Sequence, residues 1–310
     1  MGSYRVVSGQ NIYDVALHLY GSIEGIVDLL MCNPALTLDT VLKVGEELMY
    51  TDDFVIDADV VAYNRQHGVI PANGERHIYP KEFTQPPAVL LFLPAAIPEV
   101  QCSVSGAGLL EIDWGDNSDT QVLHLSDKPC RLTHTFDSRI RRYRRIRWFT
   151  EARFMHINWS GLHLCSLFLL RPLVVEELTL RQTSLSLNSL ELLRETYRLN
   201  FAGITTGSLL PLVACQGVME VDLSGANIRP ERVDEYLIAL VERYGDRRNC
   251  TMTLPVAPSG IYREPAREAS GGRYRLTTGM EALWVILHEA SWNEGGAWKF
   301  IIGETIYTTT

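Results

Sequence analysis

Four stretches in the second half of the chain share one form. They read FMHINWSGLHL, VEELTLRQTSL, TYRLNFAGITT and VMEVDLSGANI, each as apolar-x-apolar-x-x-small-x-apolar. Aligning Ile157, Leu178, Leu199 and Val221 gives steps of 21, 21 and 22 residues. This period constrains the fold more than any other feature of the sequence. One copy is too short to bury its apolar face alone, so neighbouring copies must stack. Each copy then donates one short strand to a parallel, curved sheet.

The period falls within the range of leucine-rich repeats, and residues 151–255 resemble that family. The family's usual Asn is matched only loosely, by Asn227. The resemblance implies a solenoid. PERVDEYLIALVERYG predicts a helix, with Pro230 at its start, Val233, Tyr236, Leu237, Leu240 and Val241 on one face, and Gly245 as its stop. CTMTLP predicts a last strand. Residues 256–310 open with a loop rich in Pro, Gly and Ser. TGMEALWVILHEA then reads as a helix and WKFIIGETIYTTT as one or two strands. This tail is expected to be an α/β cap on the stack or an interaction element, because solenoid ends need covers.

Residues 1–52 read as strand, helix, helix, strand. Tyr4 to Val7 alternate as a strand, and Ser8-Gly9 turns. Asn11 is placed to cap a helix carrying Ile12, Val15, Ala16 and Leu19 on one face, and Gly21 ends it. SIEGIVDLLMCN predicts a second helix, with Ile23, Ile26, Val27 and Leu30 as its buried face, stopped by Asn33-Pro34. A turn at Gly45 feeds the last strand. With Val6, Gly9, Ile12, Tyr13, Ala16, Asn33-Pro34, Val44-Gly45 and Leu48, this segment resembles the LysM family. The resemblance implies two helices packed on a two-stranded antiparallel sheet. It also implies a shallow groove for N-acetylglucosamine-containing glycans, as in peptidoglycan. Here that groove would involve Ser8, Gly9, Gln10, Asn11, Asn33 and Pro34. The same fold used only as a protein-docking piece is the competing reading.

Residues 53–87 read as a linker, with Pro71, Gly74, Pro80, Pro86 and Pro87 and a short helix from Asp57 to His67. Over 88–150 follow five short strands, AVLLFLP, EVQCSVSGAG, LLEIDWGDN, TQVLHLS and CRLTHTF, a spacing that predicts a β-sandwich. IDWGDN followed by LTHTF resembles the PKD-type immunoglobulin-like domain, through Trp114, Gly115, Asp116, Asn117, His134, Thr135 and Phe136. In that family the motif is structural: the Asp accepts turn N–H groups and the Trp fills the core. Asn117, where the family has Gly, also tolerates a left-handed backbone. A catalytic or metal cluster of Asp113, Asp116 and His134 is the alternative. The fold class expected for the whole chain is therefore multidomain α/β and β, built from these modules.

RIRRYRRIRW, residues 139–148, is the densest run of charge. On a strand, Arg139, Arg141, Tyr143, Arg145 and Arg147 share one face. The formal net charge of −9 opposes nucleic acid as a partner. Solvated or ion-paired arginines, or a docking strip for an acidic protein, remain. There is no H-E-x-x-H, G-x-S-x-G, P-loop or G-x-G-x-x-G opening a helix. Glu46-Glu47 and Glu176-Glu177 are sequence neighbours, which point apart on a strand and so make no glycosidase pair. No enzyme, cofactor or metal is expected. The six cysteines lack C-x-x-C spacing, and most sit in apolar settings, as buried free thiols do.

No apolar run approaches the length of a membrane span, and the N-terminus enters a strand with no leader pattern. Folding in a reducing compartment is the expectation. Three functions fit. The first is a structural docking component of a phage tail, baseplate or related injection particle. Such a protein is made in the bacterial cytoplasm and built into the virion or particle with other subunits. LysM-like and immunoglobulin-like modules recur in such particles. The second is a peptidoglycan-binding or adhesion protein of the cell envelope, and the third a glycan hydrolase.

Overall fold

The computed structural model describes residues 1–72, 81–116, 118–136, 144–243, 247, 249–268 and 272–309. It is a mixed α/β protein with few helices, dominated by a 14-stranded mixed sheet among the described residues. The chain forms two compact units, Met1–Lys81 and Glu82–Thr310. Among the described residues no single helix is long and apolar enough to cross a membrane.

The first unit runs β1 (Gly2–Arg5), α1 (Ile12–Tyr20), a 3₁₀ turn (Ile23–Gly25), α2 (Ile26–Cys32), β2 (Glu47–Tyr50) and α3 (Ala58–His67). β1 and β2 pair antiparallel from Gly2↔Tyr50 to Arg5↔Glu47. Asn11 caps α1 as expected: its side chain accepts the Asp14 N–H and Asp14 accepts the Asn11 N–H, both at 2.9 Å. Gly21 ends α1 in the left-handed region, and a Cβ there would lie 2.1 Å from the Asp57 carbonyl oxygen. That close approach brings the next segment in. The Tyr20 carbonyl accepts the N–H groups of Ile56 and Asp57, each at 2.9 Å. Residues 53–72, expected as part of a linker, therefore belong to this unit. Their helix α3 starts where the sequence placed it, with Asp57 as its cap.

The buried face of α2 is the expected one only in part. Leu29 is fully buried and Ile26 and Leu30 partly so, but Ile23 and Val27 point outward. The chain is turned by a break: the helix is 3₁₀ up to Gly25 and α only from Ile26, which shifts the register of the apolar stripe.

The second unit opens with β3 (Pro87–Leu93), β4 (Glu99–Asp113), β5 (Gln121–Leu125), β6 (Cys130–Thr135) and β7 (Arg144–Thr150). EVQCSVSGAG and the LLEID that follows it, read as parts of two strands, form the single 15-residue β4. Its N-terminal half pairs with β6 and with β8 (Arg153–Asn158), and its C-terminal half with β5 and β7. The join passes Gly106 and Gly108, at φ +148° and +119°. A Cβ on Gly106 would sit 2.1 Å from the Arg153 carbonyl oxygen, so only glycine allows β4 to lie this close to β8. The strands of 88–150 and 151–255, expected as a sandwich and a solenoid, consequently share one hydrogen-bonded sheet and one core.

Beyond β8 and β9 (Ser166–Leu169) come β10 (Leu173–Thr179), the short β11 (Leu193–Arg194), β12 (Arg198–Asn200) and β13 (Glu220–Asp222). α4 (Pro230–Glu242), β14 (Thr251–Leu254), α5 (Gly279–His288), α6 (Ala290–Asn293), β15 (Lys299–Ile302) and β16 (Thr305–Thr308) follow. β8, β10, β12, β13, β14 and β15 lie side by side and parallel. Ile157, Leu178, Leu199 and Val221, aligned by period alone, are register partners on adjacent strands. Met252 and Phe300 continue the same row, and all six are buried. 3₁₀ turns at 188–192 and 210–214 return the chain between the early strands, and α4 and α5 do so later. The tail adds β15 to the ladder, and β16 pairs antiparallel at its end.

Candidate functional site

The side chains expected to line a glycan groove are mostly committed to the protein itself. Gln10 is buried, and its Oε1 accepts from the Tyr4 hydroxyl at 3.0 Å and the Val7 N–H at 2.9 Å. Its Nε2 donates to the Pro71 carbonyl at 3.1 Å. Asn11 is held in the α1 cap. Asn33 bridges the end of α2 to β2: its Oδ1 accepts the Met49 N–H at 2.9 Å, and its Nδ2 donates to the Met49 and Leu29 carbonyls at 2.8 Å each. Gly9 makes the left-handed turn between strand and helix, at φ +83°. Ser8 is half-buried and Pro34 exposed. The polar groups of Gln10, Asn11 and Asn33 thus build the loops.

The apolar face that α2 turns outward is a second candidate. Val27 and Met31, four apart on α2, are 61% and 77% exposed, and Ile23 in the 3₁₀ turn before it is 56% exposed. Residues at this spacing lie above one another along a helix face. Tethering from below fixes the helix that carries them. Asp28 accepts from the Tyr20 hydroxyl at 2.7 Å and from the Thr51 N–H and hydroxyl at 3.0 and 2.7 Å. Burial pushes the Asp28 carboxyl up, but the hydrogen bonds from Tyr20 and Thr51 outweigh it and hold it below its ordinary value. Sequence periodicity missed this surface because it assigned Ile23 and Val27 to the core.

Of the arginine strip, Arg139, Arg141 and Tyr143 lie outside the described residues, and Arg145 and Arg147 share the outer face of β7. Arg147 is not free. Its Nε and Nη2 both donate to Asp113 Oδ2, at 2.8 and 2.6 Å, and its guanidinium lies 5.6 and 5.5 Å from the Phe83 and Phe149 ring centres. Arg144, on the opposite face, is buried over the Phe136 ring. Arg145 is the exposed remainder of the strip among the described residues.

Trp114, Gly115 and Asp116 form a tight turn, and Asn117 lies outside the described residues. Trp114 is buried and stacks on His134 at 4.5 Å between ring centres. Asp116 Oδ2 is 2.7 Å from His134 Nε2, and its Oδ1 accepts the N–H and hydroxyl of Ser118. Burial raises the Asp116 carboxyl, but the bonds from His134 and Ser118 bring it below its ordinary value. Asp113 is taken by Arg147 and by the Gly115 N–H at 3.1 Å. The two carboxylates therefore serve separate partners. Among the described residues no group of three or more His, Cys, Asp or Glu side chains is placed to hold a metal ion.

Comparison with protein-family models, with curated proteins and with solved structures gives no match to this chain.

Proposed function

We propose that the protein is a non-enzymatic docking component of a phage tail, baseplate or related injection particle, assembled in the cytoplasm with other protein subunits. The observation that carries the reading is the outward apolar pair Val27 and Met31 on α2, with exposed Ile23 in the turn before it. Large apolar side chains exposed together on a folded unit are the kind of surface that docks a partner. Full burial of such a side chain against a partner contributes about 1.5–3 kcal/mol. The finer reading of the parts follows the residues quoted above: a LysM-like first unit, a PKD-like turn at Trp114 and a leucine-rich-repeat-like ladder. In this reading the first unit has kept the frame of a glycan-binding module and uses its helix face for protein.

The test is co-purification of the tagged full chain with the products of its neighbouring genes, before and after the double substitution Val27→Asp and Met31→Asp. Tail-tube, sheath or tape-measure products should co-purify with the parent chain and be lost from the variant, which keeps its melting temperature. Sedimentation of the chain with purified peptidoglycan, lost on changing Ser8 to Asn11, would replace this reading with a cell-envelope adhesin. Release of reducing sugar from wall glycan would replace it with a hydrolase.

A further inference from the structure

A groove lies beyond the turns that follow β10, β12 and β13, on residues 184–186, 205–208, 227, 229 and 232. Past β10, β12 and β13 the chain makes two more parallel rungs, Ser184 to Thr205 and Thr205 to Asn227. Backbone groups are spent on these rungs: Leu185 N–H donates to the Thr205 carbonyl at 3.1 Å and Asn227 N–H to the Ile204 carbonyl at 2.7 Å. The side chains of Ser184, Thr205 and Asn227 have no hydrogen-bond partner among the described residues. Rungs of a sheet lie about 4.8 Å apart. Two hydroxyls and an amide thus stand in a row with their hydrogen-bonding capacity unused.

This row lines a groove of about 580 Å³. That size is ordinary for a small-molecule site, but the lining is not the usual apolar one. Leu185 is its one large aliphatic side chain, and no carboxylate lines it among the described residues. Two arginines stand on its wall. Arg232 is held by both carboxylate oxygens of Glu235, each at 2.7 Å. Arg229 is exposed and has no partner among the described residues. It immediately precedes the 13-residue α4, which no side chain caps and whose first turn carries Glu231.

We infer that this groove binds an acidic saccharide, with sugar hydroxyls on the Ser184–Thr205–Asn227 row and the carboxylate on Arg229. A hydroxyl and amide row exchanges hydrogen bonds with a sugar as both donor and acceptor, whereas an apolar ligand would leave it unsatisfied. The planar fork of a guanidinium matches a carboxylate with two parallel bonds. The inference is independent of what the first unit docks with.

Calorimetric titration of the full chain with glucuronate, glucose and acetate tests it. Glucuronate should bind at one site, with glucose and acetate each weaker by about tenfold or more, the factor expected for loss of one charge-assisted contact or of the neutral row. Arg229→Gln and Asn227→Ala should each weaken glucuronate by about fivefold to tenfold. Both positions are exposed, so the melting temperature should hold. No saturable binding of glucuronate, equal binding by the variants, or acetate binding as tightly as glucuronate would overturn the inference.

Discussion

Gln10 and Pro71 lie 61 positions apart and are joined side chain to backbone, Gln10 Nε2 donating to the Pro71 carbonyl at 3.1 Å. One buried amide therefore ties the first loop of the unit to the segment after α3. Gln10→Ala leaves the Val7 N–H and the Pro71 carbonyl without that partner. It should cost about 1–3 kcal/mol, the penalty for unsatisfied buried groups. Chemical denaturation measures the loss, and hydrogen exchange in residues 56–72 should rise with it.

Gly106→Ala should be among the most disruptive single changes. The added Cβ would meet the Arg153 carbonyl at 2.1 Å, and the positive φ adds strain of about 1–3 kcal/mol. Both effects act on the β4–β8 junction. A fall in melting temperature is the expected outcome, and Gly207→Ala, where a Cβ meets nothing within 4 Å, is the control.

These glycines also show where sequence reading stops. Asn11, Gly21, the helix near Asp57–His67 and the Ile157–Leu178–Leu199–Val221 row are legible because caps and periods are local signals, and each holds in the structure. Gly106 and Gly108 were read as a strand end because glycine usually punctuates. Here they serve close approach between strands, which depends on a partner 48 residues away in sequence, by the Gly106↔Phe154 pairing. The outward face of α2 was hidden for a similar reason. Apolar spacing marks a stripe but does not say which side faces the core. Ser184, Thr205 and Asn227 hold one position of the repeat, six residues after Leu178, Leu199 and Val221, but the period says nothing of what that row lines.

Acid should weaken the second unit through Asp116. Its carboxyl sits below its ordinary value in the folded chain, so the contribution is complete above the unfolded value of about 3.9. It is lost as pH falls through the lower folded value. Asp116→Asn should flatten the stability profile below about pH 4 relative to the parent, as read by urea midpoints.

The six thiols should separate by reactivity. Cys130 is exposed and should be modified first by a thiol reagent, with Cys32 and Cys165 slower. Burial pushes Cys102 and Cys250 up to about 12 and Cys215 to about 11, so all three should react only on unfolding. Timed labelling followed by mass spectrometry of peptides gives the order.

The shared strand β4 has a consequence for how this chain can be divided. A cut near residue 150 looks natural in sequence, where one pattern gives way to another. In the folded chain it would leave β8 paired only with β10, and would bare the edge of β4 at Ser103–Ala107 that β8 covers. Each fragment would then present a bare row of backbone donors and acceptors, the kind of surface that nucleates aggregation. Recombination and truncation should therefore be tolerated at the break near Lys81 but not at residue 150, and a library of random fragments should yield soluble pieces only from the former.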